Sequence, residues 1–208
     1  MSEVAEHEHD EVAGEVVEPS GEHLTDEERE RRETALAEVR TFGDPVLKSR
    51  ASEITGFGPE LEADAERMVG LMRDAMGVGL AATQLGVMRR LLVFRAGPDA
   101  VATAVANPEL EWLSDELVVA EEGCLSLPGI VVEVERALHA RVRGVDPRGE
   151  PLLLEASGLE ARVLQHEIDH LDGVLILDRT AREQRKGAMR ALREGTPYSP
   201  PTPEEEGQ

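Results

Sequence analysis

The sequence predicts an α+β fold in one compact domain, with a loose tail at each end. Three observations carry this. The segment from Pro59 to Met76 places apolar residues at helical spacing. A series of short β-like runs follows, broken by Gly, Pro and Asp. A later segment, Ser157 to Gly173, is apolar on two sides at helical spacing, as expected of a helix buried in the middle of a fold.

The chain has 208 residues, a length that suits a single domain. Hydrophobic residues make up 40% but aromatics only 2%, so the core must rest on Leu, Val, Ile, Ala and Met. The formal charge is −21, from 43 acidic and 22 basic residues. So acidic a surface repels phosphate backbones and anionic lipid, which argues against broad nucleic-acid or membrane binding. A single cysteine excludes an intrachain disulfide and suits a reducing compartment. The N-terminus shows no basic n-region with an apolar run after it. No apolar stretch approaches the ~20 residues of a transmembrane helix, so a cytoplasmic protein is expected.

In chain order, residues 1–35 read as an acidic, disordered tail, too poor in large apolar residues to offset its ordering entropy. His7, His9 and His23 read as incidental residues of that solvated tail rather than as ligands. The folded domain spans residues 36–195. Its first helix carries Leu61, Ala65, Met68, Val69, Met72 and Met76 on one face, with Gly77 placed to end it. The β-like runs are Leu91 to Arg95, Val101 to Asn107, Leu117 to Ala120, Ile130 to Val134, Ala140 to Val145 and Leu152 to Glu155. Asp146-Pro147-Arg148-Gly149 predicts a hairpin turn. Ser157 and Glu160 then read as a capping box for the next helix, and Gly173 as its stop. On that helix Leu159, Val163, His166 and His170 lie within about 60° of one another, while Leu164, Ile168 and Leu171 form a second stripe. A final, mostly charged helix from Ala181 to Arg193 is expected on the outside. Residues 196–208 read as a Pro/Glu-rich tail.

The chemistry concentrates in His166-Glu167-Ile168-Asp169-His170, an H-E-x-x-H pattern. Residues four apart share a helix face, so two imidazoles can reach one ion, and the glutamate beside them can handle the proton of a bound water. Alone, the pattern suggests a zinc protease, whose third ligand often lies C-terminal to it. Asp172 and Asp178 follow, without a recognisable ligand signature, and no later His exists. The sole Cys lies upstream, in Glu121-Glu122-Gly123-Cys124-Leu125-Ser126-Leu127-Pro128. A small buried hydrophobe is one reading of it. Its place between Gly123 and a Pro-terminated run favours an exposed, shaped backbone instead. Gly77 and Gly79 would let backbone approach a peptide closely.

Three segments, in order, resemble the signatures of the peptide deformylases. They are Gly77-Val78-Gly79-Leu80-Ala81-Ala82-Thr83-Gln84, Glu122-Gly123-Cys124-Leu125-Ser126 and Gln165-His166-Glu167-Ile168-Asp169-His170. Phe42-Gly43-Asp44-Pro45-Val46-Leu47 resembles that family's opening segment, and the likeness runs from about Val39 to Arg193. The resemblance implies small antiparallel sheets packed around a central metal-bearing helix, with a C-terminal helix. It implies Cys124, His166 and His170 as ligands of one divalent ion, with Fe(2+) as the native metal and Zn(2+), Ni(2+) or Co(2+) able to occupy the site.

By the same resemblance the chain is a hydrolase that removes the formyl group from the N-terminal N-formylmethionine of newly made polypeptides. Glu167 would then be the general base, with the Gln84 side chain and the Leu125 N–H as oxyanion donors. Val78, Gly79 and Gly123 would pair with the substrate main chain, and Val78, Leu125 and Val163 would line the methionine pocket. Asp169 would pair with Arg136 as outer support for the ligands. The last helix is locally basic, with Arg182, Arg185, Lys186, Arg190 and Arg193, and would dock near the ribosomal exit tunnel as similar helices do. A solvated helix face is the plainer reading of those charges. Two other functions stand beside the main one: a zincin-like peptidase, and a non-catalytic ribosome-associated relative. The intact ligand set and Glu167 argue against the second.

Overall fold

The structure, a computed structural model, describes residues 24–96 and 100–201. His7, His9, His23 and the end of the Pro/Glu-rich tail lie outside the described residues. The first described element corrects the expected tail: α1 (Asp26–Leu36) is a helix. Thr25 caps it by accepting from the Glu28 N–H, and Glu28 returns the bond to the Thr25 N–H, a capping box that offsets the low hydrophobicity of the segment. Ala35 then packs in a core cluster that includes residues of the next helix.

That helix, α2 (Pro59–Asp74), buries Leu61, Ala65, Met68 and Met72, the face expected from the spacing. Its end differs from the expectation. The left-handed residue is Met76 (φ 64), not Gly77. Met76 N–H bonds the Arg73 carbonyl and Gly77 N–H bonds the Met72 carbonyl, which is a Schellman ending with a non-glycine at its left-handed position. Gly77 is small for another reason: a Cβ there would sit 3.2 Å from Leu125 Cδ1 and 3.3 Å from the Gly79 carbonyl.

Among the described residues seven strands follow. β1 (Gly79–Ala81), β2 (Leu91–Phe94), β3 (Thr103–Leu113), β6 (His139–Val145) and β7 (Pro151–Ser157) form one antiparallel sheet in the order β1-β2-β3-β6-β7. β4 (Leu117–Gly123) and β5 (Val131–Ala137) form a separate antiparallel pair. β3 runs further than its apolar pattern suggests, because Glu109 to Leu113 is exposed yet pairs with β6. The hairpin between β6 and β7 forms as expected: Gly149 takes positive φ and the Asp146 carboxylate accepts from the Arg148 and Glu150 N–H groups. β1 and the 3-10 turn after it (Ala82–Leu85) have no β-like or helical pattern of their own.

α3 (Leu159–Leu171) packs against strands of both sheets, and every residue from Ala161 to Leu171 is buried. Val163, Leu164, Ile168 and Leu171 fill the cluster that β2, β3, β6 and β7 close from the sheet side. The expected capping box is absent. Ser157 ends β7 opposite His139, and its hydroxyl contacts His139 Nδ1, so the ladder claims it; Gly158 becomes the N-cap without a side-chain bond. The C-terminal stop is as expected: Gly173 is left-handed (φ 75), and Val174 N–H reaches back to the Asp169 carbonyl.

α4 (Ile176–Arg179) and α5 (Arg182–Glu194) follow, with Ala188 and Ala191 of α5 buried in the cluster of β5 and α4. The segment after α5 is not loose where it is described. Tyr198 exchanges main-chain bonds with Gly129 and Val131, and its ring lies against Gly187. Gly195, left-handed, turns the chain back so that this can happen. Among the described residues no helix is long and apolar enough to cross a membrane.

Candidate metal centre

The H-E-x-x-H spacing does what helical geometry requires. His166 and His170 sit one turn apart on α3 with ring centroids 4.9 Å apart, nearly perpendicular, and their Nε2 atoms 3.2 Å from each other. Cys124 enters from the turn after β4, where its carbonyl accepts from the Leu127 N–H, and its Sγ lies 3.2 Å from His170 Nε2. The three donor atoms all fall within 4.8 Å of one another, on buried side chains.

These residues fit a four-coordinate ion. Metal–nitrogen bonds of about 2.0–2.1 Å and a metal–sulfur bond of about 2.3 Å place tetrahedral donors roughly 3.3–3.6 Å apart. His166 Nδ1 lies 2.9 Å from Glu122 Oε2, a contact in which the ring donates, so its Nε2 carries the lone pair. Burial holds His170 well below the usual imidazole range, so it too presents a lone pair. For His166, burial opposes the charged ring, but the contacts with Cys124 and Glu122 outweigh it and raise its pKa. A cation bound there therefore competes with a proton. Neither Asp172 nor Asp178 joins the set: Asp172 pairs with Arg90 and Arg50, and Asp178 with Lys48 and the Leu175 N–H.

Glu167 lines the same cleft. Burial pushes its carboxyl up to about 7, and its Oε2 has no hydrogen-bond partner among the described residues. Gln84 is locked by its carbonyl oxygen, which accepts from the Ala81 N–H (2.9 Å). That leaves its amide nitrogen to donate to Ser126 Oγ (3.2 Å) and to face Cys124 Sγ (3.7 Å). The Leu125 N–H has no acceptor among the described residues. The cleft is lined by Met76 to Gly79, by Gln84, by Gly123 to Leu125, and by His166 and Glu167. Of the residues expected from the sequence, Val163 is the exception. It is fully buried among β-strand side chains and does not line the cleft, although it lies on the same side of α3 as His166 and His170.

An ionic network supports the ligands from behind. Arg136 donates to both oxygens of Glu122 (2.9 and 3.0 Å) and to Asp169 Oδ2 (2.6 Å), and Arg179, at the end of α4, donates to both oxygens of Asp169. Burial alone would raise the Glu122 carboxyl; its bonds from His166 and Arg136 reverse that and hold it well below the usual carboxylate range. The expected Arg136–Asp169 pair is present. Glu122, Ser126, Arg162, Arg179 and Met76 belong to the site without a role assigned from the sequence. Two of them carry a usable signal: Glu122 lies two residues before the only cysteine, and Arg162 is a charge four residues before His166 on a helix otherwise apolar on two sides.

The chain has relatives that share this arrangement of sequence and fold. The family model described as polypeptide deformylase matches residues 36–186. The peptide deformylase of Acidothermus cellulolyticus is 49% identical over 160 residues, which is 77% of this chain and 87% of that protein. Peptide deformylase 1 of Corynebacterium glutamicum is 45% identical over 161 residues, 76% of this chain and 95% of that protein. Among solved structures, the peptide deformylase of Thermotoga maritima superimposes with TM-score 0.66 at 48% identity, covering 69% of this chain and 96% of that one. The peptide deformylase of Thermus thermophilus does so with TM-score 0.71 at 42% identity, covering 75% of this chain and 92% of that one. With the family model spanning the whole site and relatives this similar across most of its length, the chain belongs to the polypeptide deformylase family.

Proposed function

We propose that this chain hydrolyses the formyl group from the N-terminal N-formylmethionine of newly made polypeptides, at the centre built from Cys124, His166 and His170. The observation that carries it is Glu167: a buried carboxyl, with one oxygen lacking a hydrogen-bond partner among the described residues, sharing a cleft with the ligand triad and with Gln84 and Leu125 as donors.

The ion, when bound, supplies a Lewis acid that acidifies a water and polarises the formyl carbonyl. Glu167 takes the proton of that water and later passes it to the leaving amine, a task suited to a carboxyl near 7. Gln84 Nε2 and the Leu125 N–H donate to the oxygen as it gains charge. The oxygen of the deprotonated water bonds to the formyl carbon, the C–N bond of the formamide then breaks, formate leaves, and the methionine amine carries the returned proton. Val78, Gly79 and Gly123 offer main chain to the peptide, and the side chains of Val78 and Leu125 offer an apolar wall to its methionine.

A thiolate with two imidazoles accepts several first-row ions. We take Fe(2+) as the native one, with Zn(2+), Ni(2+) and Co(2+) competent to fill the site. The substrates are N-formylmethionyl peptides, so the working place is the cytoplasm, where chains are started. The exposed face of α5 carries Arg182, Arg185, Lys186, Arg190 and Arg193, which suits docking on the ribosome near the exit tunnel. Arg185 and Arg190 already pair with Asp178 and Glu194, which weakens that surface.

Formate release from formyl-Met-Ala-Ser by anaerobically purified protein tests the function, with Glu167→Ala beside it. Release by the wild type and its loss in the variant are expected. A metal-loaded wild type that releases no formate would overturn the proposal, and cleavage of unformylated internal bonds instead would favour the zincin-like peptidase.

A further inference from the structure

A buried arginine lies one helical turn before the first histidine ligand. Arg162 and His166 are four residues apart on α3, so they share a face. Arg162 is only 4% exposed. Its Nη1 donates to Glu122 Oε1 (2.7 Å) and to the Val134 carbonyl (2.9 Å), and its Nη2 donates to the Val118 carbonyl (2.6 Å). One guanidinium thereby ties α3 to the main chain of both β4 and β5.

Charge balance does not account for it. The network has two carboxylates, Glu122 and Asp169, and Arg136 and Arg179 already match them. Burying a further guanidinium is costly unless its hydrogen bonds do something that charge alone does not. What Arg162 adds is a fixed point. Glu122 Oε1 accepts from Arg136 Nε and Arg162 Nη1, while Oε2 accepts from Arg136 Nη2 and His166 Nδ1. Arg136 reaches the carboxylate from β5 and is shared with Asp169, whereas Arg162 reaches it from α3, the helix that carries His166, and is itself held on two strand carbonyls.

We propose that Arg162 is a positioning residue for the metal centre: by pinning Glu122 Oε1 to the backbone of β4 and β5, it leaves Oε2 facing His166 Nδ1 and holds that ring's Nε2 towards Cys124 and His170. It acts through Glu122 and touches no reacting atom. The proposal rests on Cys124, His166 and His170 being the ligands.

Titration of the full chain with Co(2+) alone, under anaerobic conditions, tests it. Wild type should show the charge-transfer absorption of a thiolate ligand and the d–d bands of a four-coordinate ion. Arg162→Met should raise the Co(2+) dissociation constant roughly 10–100-fold and shift the d–d bands, the size of effect found when outer partners of a ligand are removed. Arg162→Lys, which keeps the charge and one point of donation, should fall between. Wild-type affinity and bands in both variants overturn the proposal. If the methionine variant does not fold, the lysine variant decides alone by the same criterion. A wild type without the thiolate band, unchanged by Cys124→Ser, overturns the ligand assignment and this proposal with it.

Discussion

Gly79 and Glu167 are in contact across the cleft: a Cβ at position 79 would lie 2.7 Å from Glu167 Cδ and 2.8 Å from its Cγ. Position 79 lies in β1, held by pairing with β2, and Glu167 is fixed on a helix buried all round, so neither backbone yields easily. Gly79→Ala should displace the Glu167 carboxyl rather than the strand. We expect kcat/KM for formate release to fall by about 10²-fold or more, within the range that general-base catalysis contributes, with bound metal retained. Near wild-type activity in Gly79→Ala would show that Glu167 has room to work elsewhere.

The buried Glu167 also predicts how stability depends on pH. Its carboxyl is raised from 4.5 to about 7 in the folded, metal-free chain, chiefly by burial. Between those values the unfolded chain has lost the proton and the folded chain still holds it, so stability falls as pH rises through this window. The full effect is on the order of 3 kcal/mol, since one pK unit is about 1.4 kcal/mol. Denaturant unfolding of metal-depleted wild type and Glu167→Gln from pH 4.5 to 7 reads it as a difference. The wild type should lose stability relative to the variant across the window; parallel curves would refute a raised carboxyl.

Gln84 has its carbonyl oxygen committed to the Ala81 N–H, so only its amide nitrogen can serve an oxyanion. Gln84→Leu keeps the approximate volume and removes the donor. The loss should appear in kcat, by about 10²–10³-fold, the usual cost of one oxyanion-hole donor. A change confined to KM would assign Gln84 to substrate binding instead.

Asp169 receives Arg136 and Arg179 together. Asp169→Ala leaves the buried Arg136 with Glu122 as its remaining partner. Breaking a buried pair in this way costs roughly 3–5 kcal/mol, discounted here because Arg179 is half exposed. Thermal unfolding and the rate of metal loss to a chelator should both worsen. No change in either would remove Asp169 from the support of the ligands.

Much of this was legible in the residues because it depends on local geometry. The α2 face, the Asp146–Gly149 hairpin and the Gly173 stop each follow from spacing or from a backbone conformation that few residues tolerate. The errors have a common cause in long-range competition. Ser157 would cap a helix if it were free, but the β6–β7 ladder takes it. Gly77 is where a left-handed glycine belongs, but Leu125 and the Gly79 carbonyl need its missing side chain, so Met76 takes the strained position. Residues 26–36 look solvated because their helix rests on a capping box and one buried alanine rather than on an apolar face.

That His166 and His170 share a face can be read from their spacing, because an α-helix brings residues four apart together whatever surrounds it. What meets them there depends on how distant elements pack. Cys124 reaches His170 through the turn after β4, Val163 is turned into the core instead of the cleft, and Glu122 and Arg162 hold His166 from behind. The contacts of Cys124 with His170, of Glu122 with His166 and of Glu122 with Arg162 span 46, 44 and 40 positions, and no local spacing encodes which side chain of one element will face which of another.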